Sequence, residues 1–223
     1  MGLKGYCLGM KNITFKIFST LLVFMVCITA VAAVGCSGST PTIVHTEKWS
    51  SAPTMQIDTT KTYTAVFDTS LGSFKVQLFA STAPITVNNF VFLADQKFYD
   101  GTVFHRIIQN FMIQGGDPLG TGMGGPGYTI PDEIPTNHVN YPYDPGIVAM
   151  ANTGRANTGG SQFFICTVDD SANLTPSYTQ FGKVIEGMDV VQKIAAVPVV
   201  VANQEKSKPV TPPVIKTITI EES

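Results

Sequence analysis

The stretch FHRIIQNFMIQGGD, Phe104 to Asp117, is mostly apolar and aromatic, yet it carries Arg106 and Gln114. An arginine in so apolar a segment costs free energy unless it is paired or used. One reading makes Arg106 a buried ion-pair partner, with Asp117 and Glu133 as candidate carboxylates. Another makes it a fixed cationic donor aimed at a reacting group. His105, beside it, invites a general-base reading. Phe111, Met112 and Phe164 are of types that usually fill cores, and only their association with Arg106 and Gln114 suggests the wall of a site.

The remaining composition excludes several chemistries. The chain has 223 residues, 44% of them apolar, enough for a packed core, and one domain is the simpler organisation. Net charge is −2 with 14 Lys and Arg, and no basic run offers the dense positive face that nucleic-acid binding needs. The three histidines, His45, His105 and His138, are far apart, and the four cysteines, Cys7, Cys27, Cys36 and Cys166, lack paired ligand spacing, so no metal site is expected. Cys166, in QFFICT, reads as a small buried hydrophobe. GTGMGG, Gly120 to Gly125, satisfies G-x-G-x-x-G, but Pro126, Gly127 and Pro131 bar the helix that would hold a pyrophosphate. A long surface loop is expected there.

The N-terminus reads as an address. Lys4, Lys11 and Lys16 precede the apolar run from Ile17 to Gly35, and Met1 or Met10 could be the start. The run closes on AVGC, Ala33 to Cys36, which resembles the lipobox of bacterial lipoproteins, with Ala33 in place of the usual leucine. Cys36 is then the lipidation site. Cleavage after AVA, Ala30 to Ala32, would release a soluble secreted or periplasmic protein, and an uncut run would anchor the chain as a helix. All three place the rest outside the cytoplasm. Residues 1–35 are therefore expected to be an export segment and 36–60, rich in Ser, Thr and Pro, a tether. Trp49 falls in that tether.

The elements that must position the candidate residues lie in 61–223. YTAVFDTSLGSFKVQLF reads as a β-hairpin. APITVNNFVFLADQKF reads as a helix with Pro84 in its first turn and Thr82 as its cap. Short β-rich runs follow, then a second helix with Val190, Val191 and Ile194 at helical spacing, then a final strand, VIKTITIEE. Many short strands with two helices suggest a mainly β chain, a closed antiparallel barrel, rather than βαβ units.

FHRIIQNFMIQGGD, GYTIPDE, GIVAMANTGRANTGGSQFFICT and FGKVIEGMDVV, in this order, resemble the cyclophilin family of peptidyl-prolyl isomerases. The resemblance implies an eight-stranded antiparallel barrel capped by two helices, with an outer groove that binds X-Pro peptides and needs no cofactor. It implies Arg106 as the catalytic arginine, Gln114 as the residue that holds it, and Phe111 beside them. Met112, Phe164 and Leu174 match, with Phe111, the walls of the proline pocket. Ala151, Asn152 and Gln162 match the group that grips the substrate main chain. Tyr178 stands where many members carry histidine, and His105 is expected in packing or substrate contact. Asn173 stands where members sensitive to the cyclic peptide cyclosporin carry tryptophan.

Rotating an X-Pro bond breaks no bond, so neither nucleophile nor proton shuttle is needed, and a base role for His105 falls away. The barrier of ~18–20 kcal/mol comes from partial double bonding. In the twisted state the proline nitrogen regains its lone pair, and a fixed cationic donor there stabilises the transition state over the ground state. The expectation is a monomeric isomerase assisting the folding of exported, proline-containing polypeptides, held at a membrane. The alternative is a non-catalytic module or chaperone that holds proline segments. Client proteins and the preferred residue before proline are not written in the sequence.

Overall fold

The computed structural model describes residues 48–136 and 141–223. Cys36, His45 and His138, the export segment and the first part of the expected tether lie outside the described residues.

The hairpin forms as its alternation requires. Strands β1 (Tyr63–Thr69) and β2 (Gly72–Leu78) pair antiparallel from Tyr63↔Leu78 to Thr69↔Gly72. Their alternate residues point inward, and Phe67 stacks on Phe74 at 4.5 Å. Helix α1 (Pro84–Asp95) follows. Strands β3 (Arg106–Ile108), β4 (Met112–Gly115), β5 (Ile147–Met150), β6 (Phe163–Cys166) and β7 (Gln180–Glu186) precede helix α2 (Met188–Ala195). Then come β8 (Val199–Ala202), β9 (Glu205–Pro209) and β10 (Ile215–Glu222).

Eight strands make one antiparallel sheet in the order β10-β1-β2-β7-β5-β6-β4-β3. The expected barrel closure is corrected: the sheet curls, but its edge strands β10 and β3 share no ladder. The seam is spanned by an isolated bridge, Val103↔Val214, with Gly101 N donating to Ile215 O at 2.7 Å and Phe104 N to Pro213 O at 2.9 Å. Pro212 and Pro213 have no N–H to extend a ladder there, and β3 is only three residues long. β8 and β9 form a separate two-stranded hairpin, which the sequence reading did not anticipate. Its two turn residues, Asn203 and Gln204, have φ of 49° and 68°. That geometry usually signals itself through Asn-Gly, and Gln204 hides it.

Helix α1 is capped differently from the expectation. Ala83, not Thr82, is its N-cap residue, and no side chain caps from that position. Instead Glu133 accepts from Ile85 N at 2.9 Å and Thr86 N at 2.8 Å, placing a carboxylate at the positive end of the helix. α2 buries Val190, Val191 and Ile194. The core inside the curl is aromatic, with Phe90 in contact with Phe67, Tyr99, Phe163 and Phe181.

The described part of the expected tether lies against the domain. Trp49 sets its ring edge-on to Phe92 at 5.3 Å and against Phe98 at 5.8 Å, and its backbone N–H donates to Pro126 O. Asn88, buried on α1, accepts from Gln56 N at 2.7 Å and donates to Thr54 O at 3.1 Å. A Ser/Thr/Pro composition lacks the periodicity that would reveal such packing.

Candidate active site

Strand alternation sends successive side chains to opposite faces. Ile107, Ile113, Phe163 and Ile165 enter the core, whereas Met112, Phe164 and Cys166 build a second apolar cluster on the outer face. Phe111, Leu174, Tyr178 and Ala151 pack against that cluster, backed by Tyr143. Tyr178 meets Phe164 edge-on at 5.3 Å. The residues expected to wall a proline pocket are thus gathered in one place.

Polar groups border them. Arg106 and Gln114 face each other in the β3–β4 register, and Arg106 Nη1 donates to Gln114 Oε1 at 3.2 Å. Met112 Sδ lies 3.9 Å from the same nitrogen. Gln114 Nε2 donates to Gln162 Oε1 at 2.9 Å, and Gln162 Nε2 donates to Gly124 O at 2.9 Å. The chain of amides runs from the arginine to the glycine-rich loop. Between that loop and the strands lies a groove of about 660 Å³, lined among others by Gln114, Gly124, Pro126, Ala151, Asn152 and Gln162. Ala151 N donates to Gln162 O, and Asn152 fixes the adjoining turn by donating to Ser177 O and accepting from Gly154 N.

Neither carboxylate named for Arg106 in the sequence reading is its partner. Asp117 accepts from Leu119 N at 2.7 Å and Thr121 N at 2.9 Å, organising the loop. Burial raises its carboxyl, but the backbone N–H groups of Leu119, Gly124, Thr121 and Gly122 outweigh this and hold it below the usual carboxylate range. Gly124 runs against that carboxylate so closely that any Cβ would overlap it. Glu133 caps α1. The partner is Glu205 on β9, 99 residues away, which accepts from Arg106 Nε and Nη2, each at 2.7 Å. No local spacing could have revealed it. The hydrogen bonds from Arg106 hold the Glu205 carboxyl below its ordinary range.

His105 is not brought into the apolar pocket. It stands one residue before β3 begins, near Gly122, and neither ring nitrogen has a hydrogen-bond partner. Burial lowers its pKa, with the Asp117 charge opposing. Packing against the loop is one of the two roles expected of His105. Cys166 is free and buried, its thiol pushed well up by burial, so it is no nucleophile. Among the described residues no cluster of His, Cys, Asp and Glu could hold a metal, and no helix is long and apolar enough to cross a membrane.

Comparisons with known proteins agree on one family. The profile described as "Cyclophilin type peptidyl-prolyl cis-trans isomerase/CLD" matches residues 64–220. Peptidyl-prolyl cis-trans isomerase A of Mycobacterium tuberculosis is 45% identical over 177 residues, covering 71% of this chain and 92% of the relative. Peptidyl-prolyl cis-trans isomerase B of Streptomyces anulatus is 43% identical over 175 residues, covering 70% and 95%. A crystal structure of a Cryptosporidium parvum cyclophilin-type isomerase, determined in the presence of the dipeptide Ala-Pro, is 36% identical with a TM-score of 0.64, covering 72% of this chain and 99% of that one.

Proposed function

Because this chain belongs to the cyclophilin-type peptidyl-prolyl cis-trans isomerases, we propose that it accelerates X-Pro rotation through Arg106, which donates to the proline nitrogen as the bond twists. The observation that carries this reading is the place of Arg106: a half-exposed guanidinium held by Gln114 at the edge of the apolar cluster of Phe111, Met112 and Phe164. Of the five guanidinium N–H groups, Glu205 takes two and Gln114 one. Of the other two, the one on Nη1 has only the weak acceptor Met112 Sδ at 3.9 Å, and either can meet an acceptor that exists only in the twisted state.

The remaining parts follow from the same physics. The apolar cluster receives the proline ring and disfavours the charge-separated planar amide next to it. Ala151, Asn152 and Gln162 border the groove where the preceding residues of a client lie. Proline-containing polypeptides are the substrate class. A groove that only held such segments would bind without turnover. Exchange spectroscopy on an X-Pro peptide separates the two: catalysed cis/trans exchange supports the reading, and tight binding with uncatalysed exchange overturns it.

The place of action follows from the N-terminal segment. The protein works outside the cytoplasm on exported clients, held at a membrane through lipid on Cys36. Support comes from the basic, apolar and small-residue order ending at AVGC. Cys36→Ala should lose lipid labelling and move to the soluble fraction; a mutant that stays on the membrane contradicts lipid anchoring.

A further inference from the structure

The β8–β9 hairpin takes no part in the eight-stranded sheet, yet its turn delivers one side chain to the site. Asn203 and Gln204 both adopt positive φ, which reverses the chain so tightly that Glu205 opens β9 directly after the turn. Val210 N donates to Pro198 O at 2.9 Å and closes the other end. Ser207 and Pro209 are buried, seating the hairpin on the domain. The Ser207 hydroxyl lies beside the Glu205 carboxylate and helps hold it. The carboxylate then grips Arg106 through two parallel N–H···O bonds of 2.7 Å, on Nε and Nη2, while Gln114 takes Nη1. A guanidinium is planar, so bonds from two different edges fix both its position and the direction of its plane.

The geometry points to Glu205 as a positioning residue for X-Pro isomerisation, which makes the β8–β9 hairpin part of the catalytic machinery. This rests on Arg106 being the donor in the twisted state. A flexible arginine must lose side-chain freedom as the transition state forms, and one already clamped loses little. Both partners are partly exposed, with side chains 37% and 40% accessible, so the pair adds little to stability. Its consequence lies in the rate. Because Glu205 holds the arginine and is not part of the apolar pocket, it should affect turnover rather than affinity.

The test measures kcat and KM for an X-Pro peptide in the wild-type chain, Glu205→Ala, Glu205→Gln, Glu205→Asp, Arg106→Ala and the double variant Arg106→Ala/Glu205→Ala. Glu205→Ala should lower kcat about 5- to 50-fold, short of the roughly 10²-fold that a 1 Å misplacement can cost. Its KM should stay within about twofold, and its unfolding midpoint within about 4 °C. Glu205→Gln, which keeps one acceptor, and Glu205→Asp, which keeps the charge on a shorter arm, should each recover part of the loss. The double variant should match Arg106→Ala, since Glu205 acts only through the arginine. A kcat for Glu205→Ala equal to or above the wild-type value overturns the inference while leaving Arg106 as the donor. So does an equal loss on adding Glu205→Ala to Arg106→Ala. Wild-type turnover by Arg106→Ala sinks the donor reading itself and the inference with it.

Discussion

Gln114 sits directly across from Arg106 in the β3–β4 register and links it to Gln162, accepting from the first at 3.2 Å and donating to the second at 2.9 Å. One amide thus ties the cationic donor to the wall of the groove. Gln114→Ala cuts both links while leaving Glu205 in place. Turnover should fall about tenfold, within the range expected when a positioning contact is lost. Steady-state kinetics on an X-Pro peptide checks this, and wild-type kcat would show that the amide chain is not used.

Glu133 governs stability from a distance. Its carboxylate serves two N–H groups at the start of α1, so Glu133→Ala should cost about 1–2 kcal/mol. For a domain of this size that lowers the thermal midpoint by roughly 2–8 °C. Thr82→Ala, by contrast, should change it by less than about 2 °C, because Thr82 does not cap the helix. Equal effects from the two would contradict the cap assignment.

Asp170 is fully buried, and no N–H or O–H group donates to either of its carboxylate oxygens. Burial raises its carboxyl from 3.8 to about 6, with the Cys166 thiol opposing. A raised folded-state value means that the group's contribution is fully present below the unfolded value, near pH 4, and is lost as pH rises through about 6. Asp170→Asn resembles the protonated form. The variant should gain about 1–3 kcal/mol over wild type at pH 7.5 and close to nothing at pH 4. Denaturant unfolding at the two pH values measures it. A gain independent of pH would contradict the assignment.

Asn173 is exposed on the segment that carries Leu174 and Tyr178, its N–H bonded to Asp170 O. The family resemblance places tryptophan there in cyclosporin-sensitive members. Losing an indole donor and part of an aromatic contact should cost about 1–3 kcal/mol, a roughly 5- to 150-fold weaker inhibition. Asn173→Trp should restore inhibition with little change in kcat. Tight inhibition of the unmodified chain would refute this.

What the sequence disclosed and what it hid divide along physical lines. The β1–β2 hairpin and α2 were legible because Phe74, Val76 and Leu78, and then Val190, Val191 and Ile194, repeat at the periods of strand and helix. Arg106 and Gln114 were legible because a cation and an amide stand out in an apolar run. Contacts between distant segments were not. Glu205 reaches Arg106 only through a hairpin whose turn lacks glycine, and Glu133 caps α1 from 47 residues beyond Thr86. Adjacency to Arg106 left packing and substrate contact both open for His105, and no sequence pattern chooses between them. The open seam was hidden because pairing between edge strands depends on which N–H groups Pro212 and Pro213 lack, not on hydrophobic pattern.

The central claim is that Arg106 recognises the twisted bond rather than the planar one. The most direct measurement compares Arg106→Ala with wild type for both ground-state affinity and turnover, on the same X-Pro peptide, by titration and exchange spectroscopy. The account predicts a folded variant that binds the peptide within about threefold of wild type, while turnover falls about 10² to 10³-fold, the loss expected for a charged transition-state donor. Turnover near the wild-type rate, or a fall in affinity as large as the fall in rate, would contradict it.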